Sequence, residues 1–137
     1  MHTLKDMLIR HEGERLKVYM CPAGKPTIGV GRNLEDRGIS HVESDFLLDN
    51  DIEAFTANLT KRLFWFKDLD SVRQAVLVDM AFNMGVAGLM AFKKTLKAIE
   101  NGKWTEASRQ MLDSRWATQV GSRATELAEM MRTGRWA

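Results

Sequence analysis

His11-Glu12-Gly13-Glu14-Arg15-Leu16-Lys17-Val18-Tyr19-Met20-Cys21-Pro22-Ala23-Gly24-Lys25-Pro26-Thr27-Ile28-Gly29-Val30-Gly31 carries most of the local structural information in this chain. Leu16 and Val18, and then Thr27-Ile28-Gly29-Val30-Gly31, are short β-type runs. Cys21-Pro22-Ala23-Gly24-Lys25-Pro26 between them is rich in turn residues, so the segment reads as a hairpin with an irregular, rigid tip. Two glycines weaken an ordinary strand. Gly29-Val30-Gly31 therefore reads either as a place where a backbone, side chain or ligand approaches closely, or as a plain bend. Upstream, Leu4, Met7, Leu8 and His11 at helical spacing behind Thr3, with Asp6 as a capping-box acid, predict a short helix over residues 3–11.

The polar candidates of this stretch fall at the helix end, the hairpin tip and the start of the second strand. A carboxylic acid half-buried between a helix end and a hairpin is suited to donate a proton near neutral pH, which makes Glu12 the candidate acid. Spacing alone nonetheless favours an ordinary surface carboxylate. Glu14 points elsewhere and is expected to pair with Arg15 or Lys17 in solvent.

Working outward, Ser40 with Glu43 forms a capping box ahead of Val42, Phe46, Ile52, Phe55, Leu59 and Leu63, which predicts one long helix through the forties and fifties. Ser71 with Gln74 reads as a second capping box, opening a largely apolar, central helix that stops at Gly85. Short helices are expected near 87–92, 93–100, 105–112 and 123–132, so the C-terminal two thirds reads as all helix. The nine methionines, spread over several helices, read as gap-filling core rather than a binding groove. Trp104, Trp116 and Trp136 read as core at least as readily as ligand platforms, and Trp65, beside Phe64 and Phe66, as a plug at the junction of two lobes.

With 137 residues, 45% of them hydrophobic and 28% charged, and only two prolines, the chain is an ordinary globular domain and not a disordered one. No run of about 18 apolar residues appears, so no membrane insertion is expected. Met1-His2-Thr3-Leu4-Lys5-Asp6 lacks the pattern of a signal peptide, and folding in the cytoplasm is the expectation. The single cysteine, Cys21, forbids an internal disulfide and Cys-based zinc knuckles. His2, His11 and His41 lack metal-site spacing, so no metal or cofactor is expected. A net charge of +2 implies no nucleic-acid partner. From residue 91 onward nine Lys/Arg face five Asp/Glu, a mild excess compatible with an anionic polymer. No heptad seam is visible, and a monomer is expected.

Beyond these local readings, the segment resembles the catalytic signature of T4-type phage lysozymes (endolysins, glycoside hydrolase family 24). Their pattern is Glu, eight residues, Asp or Cys, five residues, Thr, and Glu12, Cys21 and Thr27 meet it in register. Glu12-Gly13-Glu14-Arg15-Leu16-Lys17 and Thr27-Ile28-Gly29-Val30-Gly31 frame the match. Phe82-Asn83-Met84-Gly85, Ser114-Arg115-Trp116 and Arg132-Thr133-Gly134-Arg135-Trp136 resemble the helical lobe and C-terminal end of these enzymes.

The resemblance implies an α+β, lysozyme-like fold over residues 1–137, with a hairpin lobe over 12–60 joined by the long helix to a helical lobe over 61–137, on which helix 1–11 packs. It also implies hydrolysis of the β-1,4 bond between N-acetylmuramic acid and N-acetylglucosamine in bacterial peptidoglycan. Glu12 is then the general acid, and an inverting enzyme spaces its two groups roughly 6.5–9.5 Å apart so that water fits between them. Such an enzyme is expected in the host cytoplasm until a holin opens the inner membrane and lysis follows.

Cys21 stands where better-known members carry Asp. An ordinary thiol is only about 3% thiolate at pH 7, so Cys21 is expected to polarise water, with Thr27 Oγ1 as a second hydrogen-bond partner. A covalent thioglycoside is disfavoured because sulfur holds the sugar too stably. By position, Asn33, Phe82, Thr95 and Gln110, with Asn83 beside them, are the substrate-binding candidates, their amides and hydroxyls suiting N-acetyl and hydroxyl groups. Arg32 stands where the family usually has histidine, and its expected partner is Asp51, in a structural ion pair. Three other readings remain open: a lytic transglycosylase, a non-catalytic peptidoglycan-binding module, and a cysteine hydrolase built on His11 and Cys21.

Overall fold

The computed structural model describes residues 2–137. In chain order it contains α1 (Leu4–Glu12), β1 (Arg15–Met20), β2 (Pro26–Gly29), β3 (Arg32–Asn33), α2 (His41–Arg62), a 3-10 turn (Phe66–Asp68), α3 (Ser71–Met84), α4 (Val86–Met90), α5 (Lys93–Glu100), α6 (Trp104–Leu112), α7 (Arg115–Val120) and α8 (Ser122–Thr133). A small antiparallel sheet in order β1-β2-β3 beside eight helices is an α+β, lysozyme-like fold. No helix among the described residues is long and apolar enough to cross a membrane.

Residue contacts group the chain into two compact units, one ending at Leu48 and one covering Asp49–Ala137. The boundary falls inside α2, and α1 is grouped with the sheet in the first unit. The local reason is that α1 passes into β1 through only Gly13 and Glu14, while its last residue touches the β2–β3 turn.

In the first unit, α1 opens on the expected capping box, in which Thr3 and Asp6 each accept from the other's backbone N–H. β1 and β2 pair with Tyr19 opposite Thr27 and Arg15 opposite Gly29, with a bulge between the two rungs. The sequence reading did not foresee the third strand, a two-residue element pairing Arg32 with Ile28 and Asn33 with Thr27. The tip is closed by Cys21 N–H donating to Lys25 O at 3.0 Å and Gly24 N–H to Cys21 O at 2.8 Å. α2 begins on the expected Ser40–Glu43 box.

The second unit holds the hydrophobic core. Val72, Val76, Leu77, Met80 and Ala81 of α3 are buried at its centre. α5 contributes Leu96, Ala98 and Ile99, α6 contributes Ala107 and Met111, and α8 contributes Ala124, Leu127, Ala128, Met130 and Met131. Each set repeats at three- and four-residue intervals, so each helix turns one stripe inward. Arg73 ties three helices together: its guanidinium stacks 3.9 Å over Trp104 and donates to the Met131 and Arg132 carbonyls at the end of α8. Trp65 and Trp116 are buried in this core, whereas Trp136 is 65% exposed.

Three expectations need correction. α3 is capped by Asp70, which accepts from Arg73 N–H at 3.1 Å, and not by Ser71. Asp is at least as good an N-cap as Ser, and the one-residue shift frees Gln74 to donate to the carbonyls of Phe66, Lys67 and Leu69. Methionines are core in the second unit, but Met7 and Met20 of the first are exposed, and Met1 lies outside the described residues. Finally, α7 forms within the tract between 112 and 123, where no helix was expected.

Candidate active site

Glu12 is the last residue of α1, and its exposed side chain lies against the turn that joins β2 to β3. An ideal Cβ on Gly31 meets Glu12 Oε2 at 3.0 Å and Cδ at 3.2 Å. Of the two glycines flagged in the sequence, Gly31 therefore admits a side chain, that of Glu12, while Gly29 has nothing against it. The carboxyl group is exposed rather than half-buried, because α1 buries no residue and ends at this point.

Cys21 follows β1 at the opposite end of the hairpin and is half-buried. The Lys25 backbone hydrogen bond holds its thiol below the usual range. Partial burial opposes this, while the Ala23 backbone adds to it. Thr27, on β2, is only 3% exposed, and its hydroxyl donates to Lys25 O at 2.9 Å. That proton is committed, so the oxygen is left to accept from a further partner. Lys25 itself is paired with Glu35 at 2.6 Å and Asp36 at 3.4 Å, and Asn33 is folded into the same loop, accepting from Asp36 N–H and donating to its carboxylate.

Arg32 takes Glu43 as its partner in place of the expected Asp51. Nη1 donates to Oε1 at 2.8 Å and to Gly38 O at 3.1 Å, and Nη2 donates to Oε2. Glu43 occupies the third position of α2, where its role in the capping box already turns it back toward Ser40 and the loop after β3. The bidentate guanidinium, with help from Ser40, lowers the Glu43 carboxyl from 4.5 to about 2.

The remaining candidates lie in the second unit. Thr95, only 3% exposed, and Gln110 line one recess of about 410 Å³ together with Phe92, Lys94, Asp113 and Ser114. Gln110 donates to Glu106 Oε1 at 3.0 Å. Phe82 is 43% exposed and packs against Phe55 with ring centroids 5.3 Å apart. Asn83 accepts from Trp116 Nε1 at 2.9 Å, and the Trp116 ring meets Phe92 edge-on at 6.1 Å. Sequence reasoning missed this bracing of Asn83. Its signal was Ser114, whose hydroxyl caps α7 by accepting from Ala117 N–H and so presents Trp116 to the core.

A small three-stranded sheet in an otherwise helical chain, with a carboxylate at the end of the helix before it and a thiol and a hydroxyl at its hairpin, is an arrangement that a lysozyme-type fold provides. The phage lysozyme family model matches residues 9–132, and the chain belongs to that family. It is 30% identical over 161 aligned residues to probable T4-type lysozyme 1 of Dictyostelium discoideum, covering 96% of this chain and 95% of that protein. It is also 27% identical to the endolysin of Acyrthosiphon pisum secondary endosymbiont phage 1, covering 96% of this chain and 92% of that one. The pre-baseplate central spike protein Gp5 of Enterobacteria phage T4 is 28% identical over 161 residues, a match that spans 28% of the spike protein.

Proposed function

We propose that this lysozyme cleaves the β-1,4 bond between N-acetylmuramic acid and N-acetylglucosamine in bacterial peptidoglycan, with Glu12 as general acid and a water held by Cys21 and Thr27 as nucleophile. The observation that carries this reading is the division of labour along β2. Glu12 lies at the Gly31 end, and Cys21 and Thr27 sit toward the Lys25 end. A four-residue strand spans roughly 10 Å. Placement toward opposite ends of so short a strand supports an inverting pair, which needs room for a water between its two groups.

In the reaction, Glu12 gives its proton to the glycosidic oxygen as the C1–O bond breaks and positive charge spreads onto the ring oxygen and C1. A water donates one hydrogen to Thr27 Oγ1, whose own proton is committed to Lys25 O. Its other hydrogen faces Cys21 Sγ, which accepts the proton as the water oxygen bonds C1 from the opposite face. The lowered thiol pKa enlarges the thiolate fraction available for this step. Asn33, Phe82, Asn83, Thr95 and Gln110 bind the glycan, with Thr95 and Gln110 acting through the recess that they share. The enzyme acts as a monomer, without metal or cofactor, and lyses the host from within once a holin gives it access to the wall.

Digestion of purified peptidoglycan followed by mass analysis of the muropeptides tests this reading. Each cut is expected to add one water and to leave a reducing end, initially in the inverted anomeric form. Anhydro products would identify a lytic transglycosylase, and absence of release across a broad pH range would identify a binding module. Full activity in Cys21→Ala, or a pH profile no more alkaline than that of Cys21→Asp, removes the thiol from the mechanism.

A further inference from the structure

We infer that Gly31 is a positioning residue for Glu12: the vacant side-chain position at 31 is the seat against which the carboxyl group rests. The inference builds on the general-acid role proposed for Glu12. Gly29 and Gly31 flank Val30 in the β2–β3 turn, with φ of +68° and +64°, and both adopt a backbone that favours glycine. Their surroundings differ. Nothing lies within 4 Å of a Cβ at Gly29, whereas a Cβ at Gly31 meets Oε2, Cδ and Cγ of Glu12 at 3.0, 3.2 and 3.3 Å. Three consecutive atoms of the acid thus lie along the bare face of one residue. Within the first unit, Gly31 is the neighbour along which the Glu12 carboxylate lies.

The consequence separates stability from activity. A methyl group at position 31 pushes against the far end of an exposed, flexible side chain, which can swing into solvent at little cost to folding. The acid then leaves the position from which it protonates the leaving oxygen, and misplacement by about 1 Å costs roughly 10²-fold in rate. Turn strain alone does not do this, because Gly29→Ala introduces the same strain without the collision.

The test compares wild type, Gly29→Ala and Gly31→Ala. Both variants are expected to unfold at similarly lowered temperatures. Gly31→Ala is expected to lose about 10²-fold more kcat on peptidoglycan than Gly29→Ala, with KM unchanged. The carboxyl carbon resonance of Glu12, followed by NMR, is expected to move in Gly31→Ala and to stay in place in Gly29→Ala. Equal kcat losses with an unmoved resonance would overturn the inference. If wild type releases no sugar while the resonance still moves in Gly31→Ala alone, the general-acid reading fails and the seat itself stands.

Discussion

Arg32 closes on both carboxylate oxygens of Glu43, and the Oε1 it holds at 2.8 Å also accepts from Ser40 N–H at 2.8 Å. One carboxylate thus fastens the strand β3 to the first turn of α2. Because the folded carboxyl titrates at about 2 rather than 4.5, the unfolded chain binds this proton more readily than the folded one. The contribution of the pair is therefore complete above pH 4.5 and drains away as the pH falls toward 2. Glu43→Gln is expected to lower the unfolding temperature at pH 6, with the gap to wild type closing by about pH 2. A gap independent of pH, measured by thermal denaturation, would show that the pair contributes nothing through its charge.

The Cys21 thiol is held below the ordinary range chiefly by the Lys25 backbone. With one cysteine in the chain, alkylation reports on it alone. The pH midpoint for iodoacetamide modification of the folded protein is expected to lie below that of the same protein in denaturant. Identical midpoints would mean that the hairpin tip does not activate the thiol.

Asn83 was read from the sequence as a substrate residue, yet its side-chain oxygen accepts from the buried Trp116 indole. Asn83→Ala leaves that N–H without its partner, an expected loss of about 1–3 kcal/mol in folding free energy. Urea denaturation checks this. A loss of glycan binding with no loss of stability would assign Asn83 to the substrate alone.

How much was legible beforehand depended on how local each signal was. The Thr3–Asp6 and Ser40–Glu43 boxes were readable because each is completed within four residues. Glu12, Cys21 and Thr27 were singled out by a resemblance in register, since spacing alone left Glu12 an ordinary surface carboxylate; only Thr27 lies in a strand, opposite Tyr19. The cap of α3 was placed at Ser71 because the Ser71–Gln74 spacing fits a capping box, whereas Asp70 one residue earlier accepts from Arg73 N–H. α7, six residues long, is too short for apolar periodicity to declare itself. The partner of Arg32 was misjudged because a resemblance pointed to Asp51, while the capping geometry that turns Glu43 toward the guanidinium exists only once the helix has formed.

The most direct test of the account is the release of reducing ends from purified peptidoglycan by wild type and by Glu12→Gln. The substitution keeps the size of the side chain and its contact with Gly31 but removes the transferable proton. The account predicts steady release by wild type and none measurable by a folded Glu12→Gln variant with an unchanged unfolding transition. Undiminished release by that variant would contradict the assignment of Glu12 as the acid.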